Sequence, residues 1–325
     1  MGIVLGANQY GKAEVRLVHV DRSAPQHVLT DLNVSTHLRG AFDATYLTGD
    51  NSSVLATDTQ KNTVYAFARQ FGVGEPEEFA LRLGRHFVQS QEAVTGAQIE
   101  IDQLPWTRVG DHSFSRPGGE RRTTSVTFDG SSAWVVSGLT DLVVLNTTGS
   151  EFHGFPRDEY TTLPETTDRI LATSVTARWR YSSLDLDFGA LFTGIRSRML
   201  ETFASTHSLA LQQTLYAMGS AVLEDFAEVA EVRLSMPNKH HYLADLTPFG
   251  LDNPNQVFIA GDRPYGLIEG QVLREEAPDA GSAWQFVPAS PEPLSQGAPW
   301  FSTSPSRPNW TRCWPPPTPG GRLSG

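Results

Sequence analysis

An α+β fold, built twice over from antiparallel strands and paired helices, is what this sequence predicts. Two observations lead there. Segments with strand periodicity and segments with helix periodicity follow one another as strand, strand, helix, helix, strand, strand. The same order then starts again near residue 133, although no residue-level repeat accompanies it. The expected organisation is a first domain over 1–132, a second over 133–274 and a tail over 275–325.

The first half opens with "AEVRLVHV" (13–20), a strand with Ala13, Val15 and Leu17 on one face. "HVLTDLNVSTHLRG" (27–40) is a longer strand rich in Val, Thr and Leu. In "ATDTQKNTVYAFA" (56–68), Thr57 followed by Gln60 fits a capping box, and Val64, Phe67 and Phe71 give the helix an apolar face. Glu75 and Pro76 open a second helix over 75–91, with Phe79, Leu83 and Phe87 four residues apart. Strands over 97–109 and 121–130 close this half. In the second half, 133–146 and 169–181 read as strands, 187–206 and 210–230 as helices, and 231–246 with 266–274 as closing strands. Beyond Glu275 the periodicity stops. Eleven of the 21 prolines and four of the seven tryptophans lie in 275–325, so a loosely packed or disordered tail is expected.

Composition narrows the function. With 25 basic against 36 acidic residues the net charge is −11, which argues against nucleic acid or an anionic membrane as the main partner. The single cysteine, Cys313, rules out an internal disulfide framework and a Cys-rich metal site. No basic segment leads into a long apolar run at the start, so the cytosol is the expected setting. The N-x-S/T triplets at Asn33, Asn51, Asn146 and Asn309 are then chance matches.

Two motifs point elsewhere and fail. "GANQYGKA" (6–13) resembles a phosphate-cradling loop, but Ala13 replaces the hydroxyl that would hold magnesium. A strand, not a helix N-terminus, follows it. "NKHHY" (238–242) offers two histidines, which on a strand point to opposite faces and cannot share one metal without a bulge. One inward-facing histidine in a polar pocket is the simpler reading, and a metal site is not expected.

"FHGFPRDEYTTLPETTDRILAT" (152–173) has little structural reason for its density of Phe, Arg and Asp. Together with "YGKAEVRL" (10–17), "ATDTQKNTVY" (56–65) and "MPNKHHY" (236–242), it resembles the urate oxidase (uricase) family, in the family's order, over about residues 9–274. The ending "RLSG" is unlike the peroxisomal tripeptide of eukaryotic members, so the likeness is to bacterial, cytosolic ones. The resemblance implies two tandem T-fold domains per subunit, a tunnel-shaped homotetramer and sites at subunit interfaces. It implies urate and O2 as substrates, a cofactor-free reaction, and 5-hydroxyisourate and hydrogen peroxide as products.

Residue roles follow from the same resemblance. Lys12, Thr57 and His240 would relay protons, Lys12 acting as base through its neutral amine. Thr57 and Asp58 of one subunit would face Lys12 and the remaining pocket of a neighbour. Arg169 would offer a planar fork to one edge of urate, and Gln212 would offer donor and acceptor to the other. Phe152 would stack on the purine. The Leu211 N–H would meet a carbonyl, and Asn238 would hold oxygen or water above the ring. Gln213 and His241 are assigned to structure, Gln213 because it projects about 100° away from Gln212 on a helix. The competing reading is a T-fold protein that binds a purine or pterin-like ring without turning it over.

Overall fold

The computed structural model describes residues 2–261 and 263–284. In chain order these form β1 (Tyr10–Asp21), β2 (Val28–Gly40), α1 (Asp43–Leu47), α2 (Thr57–Phe71), α3 (Pro76–Ser90), β3 (Val94–Gln103), β4 (Thr107–Arg108), β5 (Phe114–Ser115), β6 (Arg121–Phe128), β7 (Ala133–Asn146), β8 (Leu171–Tyr181), α4 (Phe188–Ser205), α5 (Leu211–Asp225), β9 (Val229–Asn238), β10 (His241–Leu243), β11 (Phe258–Ala260) and β12 (Gly266–Leu273). A single turn of 3-10 helix, Thr247–Phe249, precedes β11. Eight strands make one antiparallel sheet in the order β1-β2-β3-β6-β7-β8-β9-β12. The strands of the two halves run on into one another because β6 and β7 pair from Phe128↔Ala133 outward.

Alternation decides which face of the sheet is covered. On β2, Leu32, Val34, Thr36 and Leu38 are fully buried, while Asn33, Ser35 and His37 between them face the other way. On β9, Val232, Leu234 and Met236 repeat the pattern. The long helices lie over the apolar face; Phe79, Leu83 and Phe87 of α3 are wholly buried, as their spacing predicts. α2 differs. Its buried stripe is Gln60, Val64 and Ala68, whereas Phe71 is half exposed beneath the Arg82 guanidinium, 5.2 Å from the ring centroid.

Three further departures have identifiable causes. The strand expected over 97–109 stops at Gln103, and Pro105, with no N–H to give a ladder, stands in the break before β4. The strand expected over 231–246 stops at Asn238. There the Lys239 N–H turns to Ala172 O (2.8 Å) and the His240 carbonyl accepts from Gly261 N–H (2.8 Å), opening the separate β10–β11 hairpin. Ala13 is exposed instead of sharing a face with Val15 and Leu17, because β1 bulges between Lys12 and Val15 and Glu14 takes a φ of 57°.

Residues 275–284, expected to be loose, are seated against the sheet. The Pro278 carbonyl accepts from Arg180 (2.8 Å), and the Trp284 indole N–H donates to Glu231 (2.9 Å). The Arg233 guanidinium stands 3.8 Å from the Trp284 ring centroid. Glu231 is only 2% exposed, and a buried carboxylate needs these partners. The remainder of the expected tail, 285–325 with Cys313, lies outside the described residues. No described helix is long and apolar enough to cross a membrane.

Candidate active site

Most of the predicted site residues meet in the second half of the chain. Phe152 forms an isolated bridge with Thr166, which brings it close to Arg169 at the entrance to β8. The Arg169 guanidinium lies 5.2 Å from the Phe152 ring centroid, and Phe155 stacks on Phe152 at 5.0 Å. Arg169 Nε donates to the buried Ser150 hydroxyl (3.3 Å), which leaves the two terminal nitrogens of the fork for a ligand. Burial lowers the pKa of Arg169, though a guanidinium stays charged under any ordinary condition.

Where β9 breaks, Asn238 ends the strand opposite Thr173 and Gly266, and His240 follows two residues later. His240 therefore belongs to neither strand, and the question of which face it points to does not arise. Its imidazole is held below the usual histidine range, first by burial and then by the charge of Arg169. Neutral imidazole is the form that can accept a proton. His241 turns its ring to the Lys239 carbonyl (3.1 Å), a local structural contact. Among the described residues, no three His, Cys, Asp or Glu side chains are arranged to hold a metal ion.

The bridge between Ser150 and Ser208 draws the start of α5 to the same place. Ala210 caps this helix without a side-chain bond, so its first-turn N–H groups, Leu211's among them, point out of the helix end. Gln212 is exposed there, while the Gln213 side chain folds back to accept from Leu209 N–H (2.8 Å). The 100° argument for separating the two glutamines is thus matched by a distinct job for the second.

Lys12, Thr57 and Asp58 form a second group, in the first half. Asp58 is exposed; a bond from Lys61 does most to hold its carboxylate below the usual range, helped by Asn62 (3.0 Å) and by the charge of Lys12. The charge of Lys12 therefore reaches Asp58 of its own chain. The resemblance set Lys12 opposite Thr57 of a neighbour; within one chain, the pairing of β1 with β2 and the packing of α2 on β1 already bring the charge of Lys12 to bear on Asp58, the residue next to Thr57.

The capping box is corrected as well. Ala56, not Thr57, is the N-cap of α2, and no side chain caps it. Gln60 is fully buried. Its Oε1 accepts from Thr36 Oγ1 (2.7 Å) and its Nε2 donates to the Leu55 carbonyl (3.1 Å). Ser150, Thr36 and Gln60 were not singled out as site-supporting groups by the sequence. Their only signal is polarity in positions that strand or helix periodicity turns inward.

The two groups stand far apart on one chain. β1 is the first strand of the sheet and β9 the seventh, so six strand spacings, about 29 Å, separate them along it. The predicted site residues of one chain therefore fall into two separate groups.

A family model described as Uricase matches residues 8–127 and 135–269. The uricase of Arthrobacter globiformis is 58% identical over 287 residues, covering 88% of this chain and 95% of that protein. That of Dictyostelium discoideum is 40% identical over 282 residues, covering 83% and 97%. A crystal structure of the Arthrobacter globiformis enzyme superposes with a TM-score of 0.85 at 56% identity, over 87% of this chain and 99% of that one. The antiparallel sheet with its paired helices is accordingly the α+β T-fold arrangement that the resemblance implied. On sequence and on fold alike, this chain belongs to the uricase family.

Proposed function

We propose that the protein oxidises urate, with O2 and H2O, to 5-hydroxyisourate and H2O2, at a site that two copies of the chain complete. The observation that carries this is a guanidinium fork, an aromatic platform and a neutral histidine gathered at one end of a uricase chain, while Lys12 and Thr57 lie six strands away.

Urate enters over Phe152, whose ring Phe155 holds in place, and draws the Arg169 guanidinium from above the ring to the purine's edge. The fork meets a carbonyl and the adjacent ring nitrogen while Nε keeps its bond to Ser150. The Leu211 N–H and the Gln212 amide take the opposite edge. The partner copy brings Lys12 and Thr57 to the free side of the pocket, with Asp58 balancing the charge of Lys12 and Lys61. Lys12, Thr57 and His240 then move the protons. Deprotonated urate is electron-rich enough to reduce oxygen itself, so the reaction asks for no cofactor. Urate and water together give up two electrons and two protons to O2, which becomes H2O2, and the water oxygen remains on the ring. Asn238 holds first the oxygen and then the attacking water above the plane.

Exposed apolar surface supports the assembly. Tyr242, Leu243, Phe249 (75% exposed), Ile259 and Leu267 crowd the stretch from β10 to the start of β12, next to the half-site. A surface of this kind calls for a covering partner. The two sheet edges, β1 and β12, present unpaired strands as well. We read the assembly as a homotetramer, the halves 1–132 and 133–274 as its two T-fold units, and the cytosol as its setting. Purified protein should bleach the ultraviolet absorbance of urate and release one peroxide per urate. A preparation of correct oligomeric size that does neither would overturn the reading.

A further inference from the structure

Behind Lys12 lies a partly buried hydrogen-bond circuit that joins its backbone to Gln60, in the first turn of the helix that carries Thr57. The Lys12 N–H donates to Thr36 Oγ1 (3.2 Å), the Thr36 hydroxyl donates to Gln60 Oε1 (2.7 Å), and Gln60 Nε2 donates to the Leu55 carbonyl (3.1 Å). The same carbonyl accepts from the Tyr10 hydroxyl (3.1 Å), which returns the circuit to β1 two residues before Lys12. Thr36 and Gln60 are both fully buried. A Val and a Leu would fill these inward positions without the desolvation that a hydroxyl and an amide incur.

What the polar pair supplies is position. β1 bulges directly after Lys12, so its ladder with β2 is interrupted where the lysine must be aimed. Gly11 allows the approach, since a Cβ there would sit 1.7 Å from the Thr36 carbonyl oxygen. Thr36 then anchors the Lys12 backbone from below, and Gln60, three residues along α2 from Thr57, carries the same anchor to the helix turn that presents Thr57 and Asp58. We infer that Thr36 and Gln60 are positioning residues that set the spacing between Lys12 and Thr57, without themselves touching substrate. The inference rests on the reading of Lys12 and Thr57 as proton-relay groups.

The test is a double-mutant cycle in the assembled, full-length enzyme, with sedimentation confirming the oligomer in each case. Gln60→Leu should lower kcat about 10- to 100-fold through misplacement of the relay, with KM for urate moving less than about threefold. Thr36→Val/Gln60→Leu, which removes both ends of the Thr36–Gln60 bond together and so leaves neither of them buried without the other, keeps the experiment readable if the single variant folds poorly, and should lower kcat over the same range. In a Lys12→Ala background either change should cost less than about a further twofold, because the group they position is gone. A packing role alone would reduce kcat equally in both backgrounds, and that result would overturn the inference. So would wild-type kcat in Thr36→Val/Gln60→Leu while Lys12→Ala is slowed. Full activity in Lys12→Ala would instead sink the relay reading, and the positioning inference with it.

Discussion

Two variants that are each inactive should restore one another when, and only when, their lesions lie in different half-sites. Thr57→Ala damages the half carried by β1 and α2; Arg169→Ala damages the half at the entrance to β8. Proton transfer needs heavy atoms within about 3 Å, directly or through one water. The two halves of one chain stand about 29 Å apart across six strand spacings. On the proposed reading each site takes its halves from different chains. With equal amounts assembled at random, the chance that both halves are intact is one half times one half, so about a quarter of sites are complete. Co-expressed Thr57→Ala and Arg169→Ala should recover roughly that fraction of wild-type initial rate, read as loss of urate absorbance. Lys12→Ala with Thr57→Ala should recover nothing, since both lesions fall in the same half and every site keeps one of them. Silence from the first pair would place the whole site within one chain. Activity from the second would put Lys12 and Thr57 on opposite sides of the interface.

Arg169→Lys keeps the charge but loses the bidentate fork and the Nε bond to Ser150, so KM for urate should rise about 10- to 100-fold, with kcat less affected; an unchanged KM in steady-state kinetics would refute the fork. Burial and the charge of Arg169 both disfavour the imidazolium of His240, so its pKa lies below the ordinary value of about 6.5 and the acid limb of kcat should appear below that pH. By the same sign the unfolded chain binds this proton more readily. The contribution of His240 to stability is thus complete above about pH 6.5 and lost as pH falls through the depressed value. A kcat–pH profile with its limb at or above 6.5, or one unmoved by His240→Asn, would contradict this. Glu77, fully buried, receives Arg122 (2.6 Å), Thr124 (3.0 Å) and Ser137; Glu77→Ala strands Arg122, only 10% exposed, and should cost about 3 kcal/mol in urea unfolding. A loss under about 1 kcal/mol would mean that Glu75 alone satisfies the arginine.

Periodicity carried the sheet and the helices well, because a residue's burial there depends on its own neighbours in sequence. β2 alternates as written, and Phe79, Leu83 and Phe87 bury as spaced. The errors fall where a distant partner decides. Thr57 and Gln60 have the local signature of a capping box, yet Gln60 turns inward because Thr36, 24 residues earlier, offers it a hydroxyl in a dry interface. Trp284 lies in a stretch whose composition suggests no packing, and is held there by Glu231 and Arg233, about fifty residues earlier. The site divides in the same way. Family motifs pointed to Arg169, His240 and Lys12, but how far apart these stand on the chain is a matter of strand register and sheet order, and neither is written in a motif. Lys12 illustrates the point: the β1–β2 register places Thr36 beneath it, Thr36 leads to α2, and α2 carries Thr57. With that register, Lys12 and the first turn of α2 lie on one flank of the sheet and Arg169 toward the other, which is the separation that the proposed two-chain site rests on.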